Sequence, residues 1–289
     1  MNSLKAQQEK NDTIAGKLIL EWKTPQNSDK VLLLVEGPGD VNFYHPFFNE
    51  STCRIRLGGG CTNLNKINQV ISRYRSVIKR HIIIRDSDFS RVNGSMLSDG
   101  YVFYADAHDH EMMCIKDANV LTRTASKCGL LNHMSIYDDI TQELKTLSYF
   151  KWYNYTLNKK YDFKHIDIVN ISEANLNDIN YLFSCIPNKD PNIDCAIVFD
   201  DFHEFSALRA SVDLSEVTNG HDFIKRFITH LRKIEHKQIA EKKFLKYLHE
   251  EYGMDEFAQS DLYSNIHGWE VNNSVVILKR QIPSPLGEG

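Results

Sequence analysis

Two short apolar runs that each end abruptly in acid constrain this chain most: Val31-Leu32-Leu33-Leu34-Val35 runs into Glu36-Gly37-Pro38-Gly39-Asp40, and Ile82-Ile83-Ile84-Arg85 into Asp86-Ser87-Asp88. Unbroken runs of this length read as strands buried on both faces of a parallel sheet. Ligands of such sheets collect at the carboxyl ends of the strands, so the acids just beyond the last apolar residue mark a site. Glu36, Asp86 and Asp88 would crowd like charges into a partly desolvated crevice, which opposes folding unless a cation offsets the repulsion. Oxygen donors without Cys or His suit Mg2+ or Mn2+ rather than zinc. An extended Asp86-Ser87-Asp88 would point both carboxylates to one side, and a loop could also converge them on one ion. The competing reading is that these acids cap helices or neutralise Arg85 and nearby lysines. Asp40 opens the segment 41–48, where a helix N-terminal role is its rival assignment.

Between the two acidic runs, Arg54-Ile55-Arg56-Leu57 leads into Gly58-Gly59-Gly60, and Leu64, Ile67, Val70, Ile71, Tyr74, Val77 and Ile78 follow at helical spacing. This strand, glycine turn and helix could present backbone amides to a phosphate, or the glycines could serve only a turn of positive φ. The Gly-Lys-Ser/Thr ending of a P-loop and the dinucleotide fingerprint are both absent, which excludes support for a nucleotide cofactor. Strands near 31–35, 53–57, 81–85 and 101–104 alternate with helical patterns near 40–48 and 62–79, which predicts an α/β, Rossmann-like core with a largely parallel sheet. Beyond about 116 the pattern turns helical, over 134–153, 173–184, 202–208, 221–233 and 239–252; Ala196 to Phe199 fits a strand or a buried helix start. The expected organisation is a helical segment 1–24 with Ile14, Leu18 and Leu20 to pack, an α/β domain 25–115, a mainly helical domain 116–280 and a tail 281–289.

The chain's 289 residues, 42% hydrophobic, suffice for a full core plus a smaller second unit. No stretch approaches the ~20 apolar residues of a membrane span, and residues 1–10 are too polar for a signal peptide, so a cytoplasmic protein without membrane contact is expected. The six cysteines form no Cys-x-x-Cys pair, which argues against a zinc ribbon or a disulfide framework and for reduced, buried thiols. The net charge of -4 hides two basic stretches, 54–91 and 225–246. On the second, Lys225, Arg226, Arg232 and Lys233 are candidate nucleic-acid contacts, against the simpler reading of a solvated helix face. Two further motifs could complete a site. In Asp106-Ala107-His108-Asp109-His110-Glu111, Glu111 is the added candidate metal ligand, with His108, Asp109 and His110 close behind. In Asn219-Gly220-His221-Asp222, His221 is a candidate proton shuttle or phosphate donor. Asp200 and Asp201 form an acid pair with no P-loop to serve.

The Glu-Gly-x-x-Asp and Asp-x-Asp strand ends resemble the Toprim domain, and together with the triglycine, the His108 to Met113 cluster and Gly220-His221-Asp222 they look like the DUF4435 group of Toprim-like proteins over most of 30–235. That resemblance implies Glu36 as general acid or base and Asp86 and Asp88 as metal ligands. It further implies an Mg2+-dependent nuclease, an effector of an anti-phage system that an ABC-type ATPase partner holds inactive and that cuts host tRNA on release. A topoisomerase would need a further large domain for its tyrosine, and a primase would ordinarily bring a zinc module. The alternatives are a DNA nuclease of the overcoming-lysogenization-defect (OLD) type and a non-catalytic Toprim-like protein that docks on an ATPase or nucleic acid. Dimerisation of the active nuclease on a folded RNA is expected through a helix of the second half.

Overall fold

In the computed structural model, residues 14–130, 135–190 and 192–280 are described. The expectations for residues 1–13, for Met134 and for the tail 281–289 lie outside the described residues. Four strands, β1 (Val31–Val35), β2 (Cys53–Leu57), β3 (His81–Arg85) and β4 (Val102–Tyr104), form one parallel sheet in the order β2-β1-β3-β4. The chain leaves β1 toward β2 on one side and then crosses to β3 on the other. This reversal makes the gap between the ends of β1 and β3 a topological switch point, where ligands of doubly wound sheets bind.

The fold is α/β and Rossmann-like, and the chain divides into two compact units. The first contains described residues 14–86, 97–105 and 253–280. Side chains alternate across its sheet, so Leu32, Leu34, Ile83, Val102 and Tyr104 share one face. Helix α1, over 14–22, covers that face with Ala15, Leu18, Ile19 and Trp22, spaced i, i+3, i+4, i+7; α3 (Cys61–Ile71) adds Leu64, Ile67 and Ile71. Leu20, expected to pack, points to solvent, because it falls off that stripe. Helix α2 (Pro38–Tyr44) follows β1, and the rings of Phe47 and Phe257 stack at 4.3 Å.

The second unit contains Ser87–Met96 and the described residues of Asp106–Tyr252. Its helices are α4 (His110–Ile115), α5 (Ala118–Cys128), α6 (Ile136–Thr156), α7 (Glu173–Leu176), α8 (Ile179–Ser184), α9 (Cys195–Ala207), α10 (Gly220–Glu235) and α11 (Glu241–Glu251). Ile140, Leu144 and Leu147 of α6 and Phe223, Phe227 and Leu231 of α10 are fully buried, and Phe227 meets Phe244 of α11 at 4.6 Å.

Some expectations change. The single helix over 173–184 is two, because the Asp178 carboxylate accepts the Asn180 amide at 2.8 Å and starts α8 afresh. Of the two readings open for Ala196 to Phe199, the helix start is the one that forms: they belong to α9, which Asp194 caps at the Ala196 amide. The boundaries at 115/116 and 280 also differ, since α12 (Met254–Ala258) and α13 (Asp261–Asn273) return to the first unit, where α13 packs on β4. All six cysteines are free, and Cys195 is exposed rather than buried. No helix among the described residues is long and apolar enough to cross a membrane.

Candidate functional site

In the first unit, β1 delivers Glu36 and β3 delivers Asp86 to the switch point, and α2 adds Asp40 from its first turn. Asp40 is buried, and its Oδ2 accepts the Gly37 amide at 2.7 Å, which fixes the carboxylate over the start of the helix. A carboxylate oxygen of Asp40 and one of Asp86 lie within 4.8 Å of each other. Two oxygens on opposite sides of one Mg2+ stand about 4.2 Å apart at bonds of ~2.1 Å, so the spacing and the hard donors fit a divalent cation. Without one, two carboxylates this close repel by roughly 3 kcal/mol at an effective dielectric near 20. Asp40 therefore combines a capping role with proximity to Asp86.

Glu36 takes a different neighbour. Its Oε1 lies 3.7 Å from Arg85 Nε, with both side chains largely shielded from solvent. Arg85 also donates to Cys61 Sγ and, at 3.3 Å, to Asn65 Oδ1, so it ties the end of β3 to the start of α3. Arg85 is legible in sequence only as a charge for the acids to neutralise. The triglycine completes this end of the sheet. Gly58 N donates to Val35 O at 2.8 Å and Gly60 N to Glu36 O at 2.9 Å, so these two amides extend the sheet instead of cradling a phosphate, contrary to that expectation for them. Gly59 and Gly60 have φ of 79° and 97°, and a Cβ on Gly58 would strike the Leu64 side chain, which is why the sequence has three glycines here.

The second unit holds Asp88, His108, His110, Glu111 and His221. Asp88 has a left-handed φ of 44°, so the extended Asp86-Ser87-Asp88 geometry does not form; its amide donates to His108 O at 2.7 Å. Glu111 Oε1 lies 3.4 Å from His110 Nε2 and 3.6 Å from His221 Nε2, and His221 Nδ1 lies 3.2 Å from Glu241. Glu111 and His110 are buried, whereas the His221 side chain is half exposed. One carboxylate thus stands between two imidazoles at ion-pair distance.

Asp109, expected from the sequence only as a further candidate for the metal shell, organises this cluster. Its Oδ1 accepts the Met112 amide at 2.8 Å at the start of α4, and its Oδ2 accepts the Gly220 amide at 2.8 Å at the start of α10. Burial acts to raise its pKa, but the hydrogen bond and charge of His108, 3.1 Å away, and the two amides together hold it below the usual carboxylate range. Gly220 permits the approach: a Cβ there would collide with Glu111 and stand 2.6 Å from Asp109 Oδ1. Asp222, beside it, pairs with Lys151.

Arg226 is corrected outright as a nucleic-acid contact. Its side chain is 0% exposed, it pairs with Glu143, and its Nη1 donates to the carbonyls of Ile168 and Ile171 at 3.0 Å each. Lys225 and Arg232 are half-buried and Lys233 is exposed on the same helix. Asp200 and Asp201 are exposed within α9 and follow no strand. No family model matches the chain, and no curated protein matches it.

Proposed function

We propose that this chain is a metal-dependent nuclease of the Toprim-like, DUF4435 kind. The observation that carries the reading is the approach of Asp40 and Asp86 at the switch point of a parallel sheet. These two carboxylates would hold Mg2+ or Mn2+, which when bound supplies charge neutralisation at a scissile phosphate and a more acidic water. Glu36 handles the proton, with Arg85 3.7 Å away to orient it. The parts of Asp88, Glu111 and His221 in this chemistry rest on the resemblance. Lys225, Arg232 and Lys233 remain candidate backbone contacts, so binding weakens with added salt.

The biological setting follows from the resemblance alone. The chain acts in the cytoplasm as an effector similar to AriB of the PARIS anti-phage system, released from an ABC-type ATPase, dimeric when active and directed at host tRNA. Incubation of the purified chain with tRNA, total RNA and plasmid DNA, with Mg2+, Mn2+ or EDTA, tests it. Metal-dependent cleavage of tRNA that is lost in Asp86→Asn at unchanged melting behaviour is the expected outcome. Cleavage of plasmid alone would replace the substrate assignment by the OLD-type one. Equal cleavage by Asp86→Asn, or none by the wild type with either metal, would refute the nuclease reading.

A further inference from the structure

A groove of about 180 Å³ opens in the first unit beside the edge strand β2, lined among others by Lys30, Val41, His45, Phe48, Arg54 and Ile55. Two cations in it are held by neutral partners. Lys30 Nζ donates to the main-chain carbonyl of Glu50 at 2.6 Å, and Arg54 Nε donates at 2.9 Å to Oδ1 of Asn27, which is buried. Of the carboxylates, Glu50 also lines the groove and lies 2.8 Å from His45, and Glu21 pairs with Arg56. Among the described residues, neither Lys30 nor Arg54 has a carboxylate in ion-pair range. Holding Arg54 through Nε orients its guanidinium and leaves both Nη groups to bind a further acceptor.

The shape narrows the ligand. The groove is smaller than the ~300–1,000 Å³ of a typical small-molecule site, so it takes a charged group and not a whole cofactor. Arg56 Nη1 donates to Ile55 O at 2.8 Å, which occupies the outer edge of β2 against an added strand. A tetrahedral oxyanion can present one oxygen to the Lys30 point charge and two to the Arg54 fork. Val41 and His45 reach the groove from one face of α2, while Asp40 on the same helix lies on another.

We infer that Lys30 and Arg54, positioned by Asn27, bind a phosphate of a nucleic-acid backbone. The identity of this ligand rests on the nuclease reading; the cationic site itself rests on the groove. Fluorescence anisotropy with a labelled single-stranded RNA, in EDTA, tests it. The Lys30→Gln/Arg54→Gln double variant binds about tenfold more weakly, and its plot of log affinity against log salt is shallower by about 1.4, the change expected when two cations no longer neutralise a single strand. Asn27→Asp, which keeps both cations but gives Arg54 an anionic partner, weakens binding several-fold, so it decides the matter should the double variant melt below the wild type. The assay contains no divalent metal and reads no cleavage, so a failure of the catalytic reading leaves the groove standing. Wild-type affinity and salt slope in the Asn27→Asp and double variants would overturn the inference, as would stabilisation by inorganic phosphate without any effect of these variants on RNA affinity.

Discussion

Each unit buries carboxylate charge, and the two do it in opposite ways. In the second, Glu143 is matched: Arg226 pairs with it, and His230 lies 2.8 Å away. In the first, Asp40 and Asp86 bring charges of the same sign within 4.8 Å. A buried acid with a fixed cation is complete as folded, whereas two acids gathered at a sheet's switch point carry a mutual repulsion that a divalent cation would relieve. Burial alone therefore does not mark function; a second carboxylate close by at a strand end does.

The largest expected effect is on the matched side. Arg226→Ala leaves Glu143 buried without its guanidinium and costs roughly 3–5 kcal/mol in urea unfolding, whereas replacing both partners with Met costs far less. A loss below about 1 kcal/mol in the single variant would break the contrast. On the like-charge side the effect is smaller. Asp86→Asn without divalent metal relieves a repulsion with Asp40 of up to roughly 3 kcal/mol, which offsets the contacts the lost charge makes, so the net change stays below about 1 kcal/mol. A loss of several kcal/mol by that variant in EDTA would show that Asp86 is held by compensating cations, as Glu143 is.

Acid acts on a buried histidine in each unit. Burial, with Arg75 nearby, lowers the His81 pKa to about 4 while its Nε2 lies 2.8 Å from Asn68 Oδ1. A histidine depressed in the fold stabilises fully above its unfolded value near 6.5. That contribution, up to roughly 3 kcal/mol, is lost as pH falls toward about 4. Burial and then Arg226 also lower the His230 pKa on α10, so that helix weakens as pH falls below the same unfolded value. Asp109 is lowered too, so its contribution is present above the unfolded carboxylate value near 4 and disappears only below it. Hydrogen exchange should thus show β3 amides losing protection between about pH 6.5 and 4. Unchanged protection of β3 over that range would contradict the His81 assignment. A local effect belongs to packing at the helix starts: Gly220→Ala, forced against Glu111 and Asp109, costs roughly 1–3 kcal/mol by thermal melting, and a neutral result would mean that α4 and α10 separate easily.

The strands are legible because runs such as Val31 to Val35 are buried on both faces and carry no other period. The acids at their ends follow from that register. Arg226 misleads because a basic run reads as a solvated face, although Phe223, Arg226, Phe227 and His230 lie at i, i+3, i+4 and i+7 and share one stripe. Glu143 sits in the same way among Ile140, Leu144 and Leu147 on α6. The capping role of Asp109, a residue expected only near a metal, is out of reach for another reason: its partner Gly220 is 111 residues away, and no local pattern encodes that meeting. The turn at Asp88 is similarly hidden, since aspartate tolerates a left-handed φ without requiring it.

Isothermal titration of Mn2+ into the metal-free protein tests the central claim most directly. The account predicts saturable binding by the wild type, abolished in Asp86→Asn and strongly weakened in Asp40→Asn, with both variants folded by circular dichroism. Undiminished binding in Asp86→Asn, or no binding and no thermal stabilisation of the wild type, would contradict it.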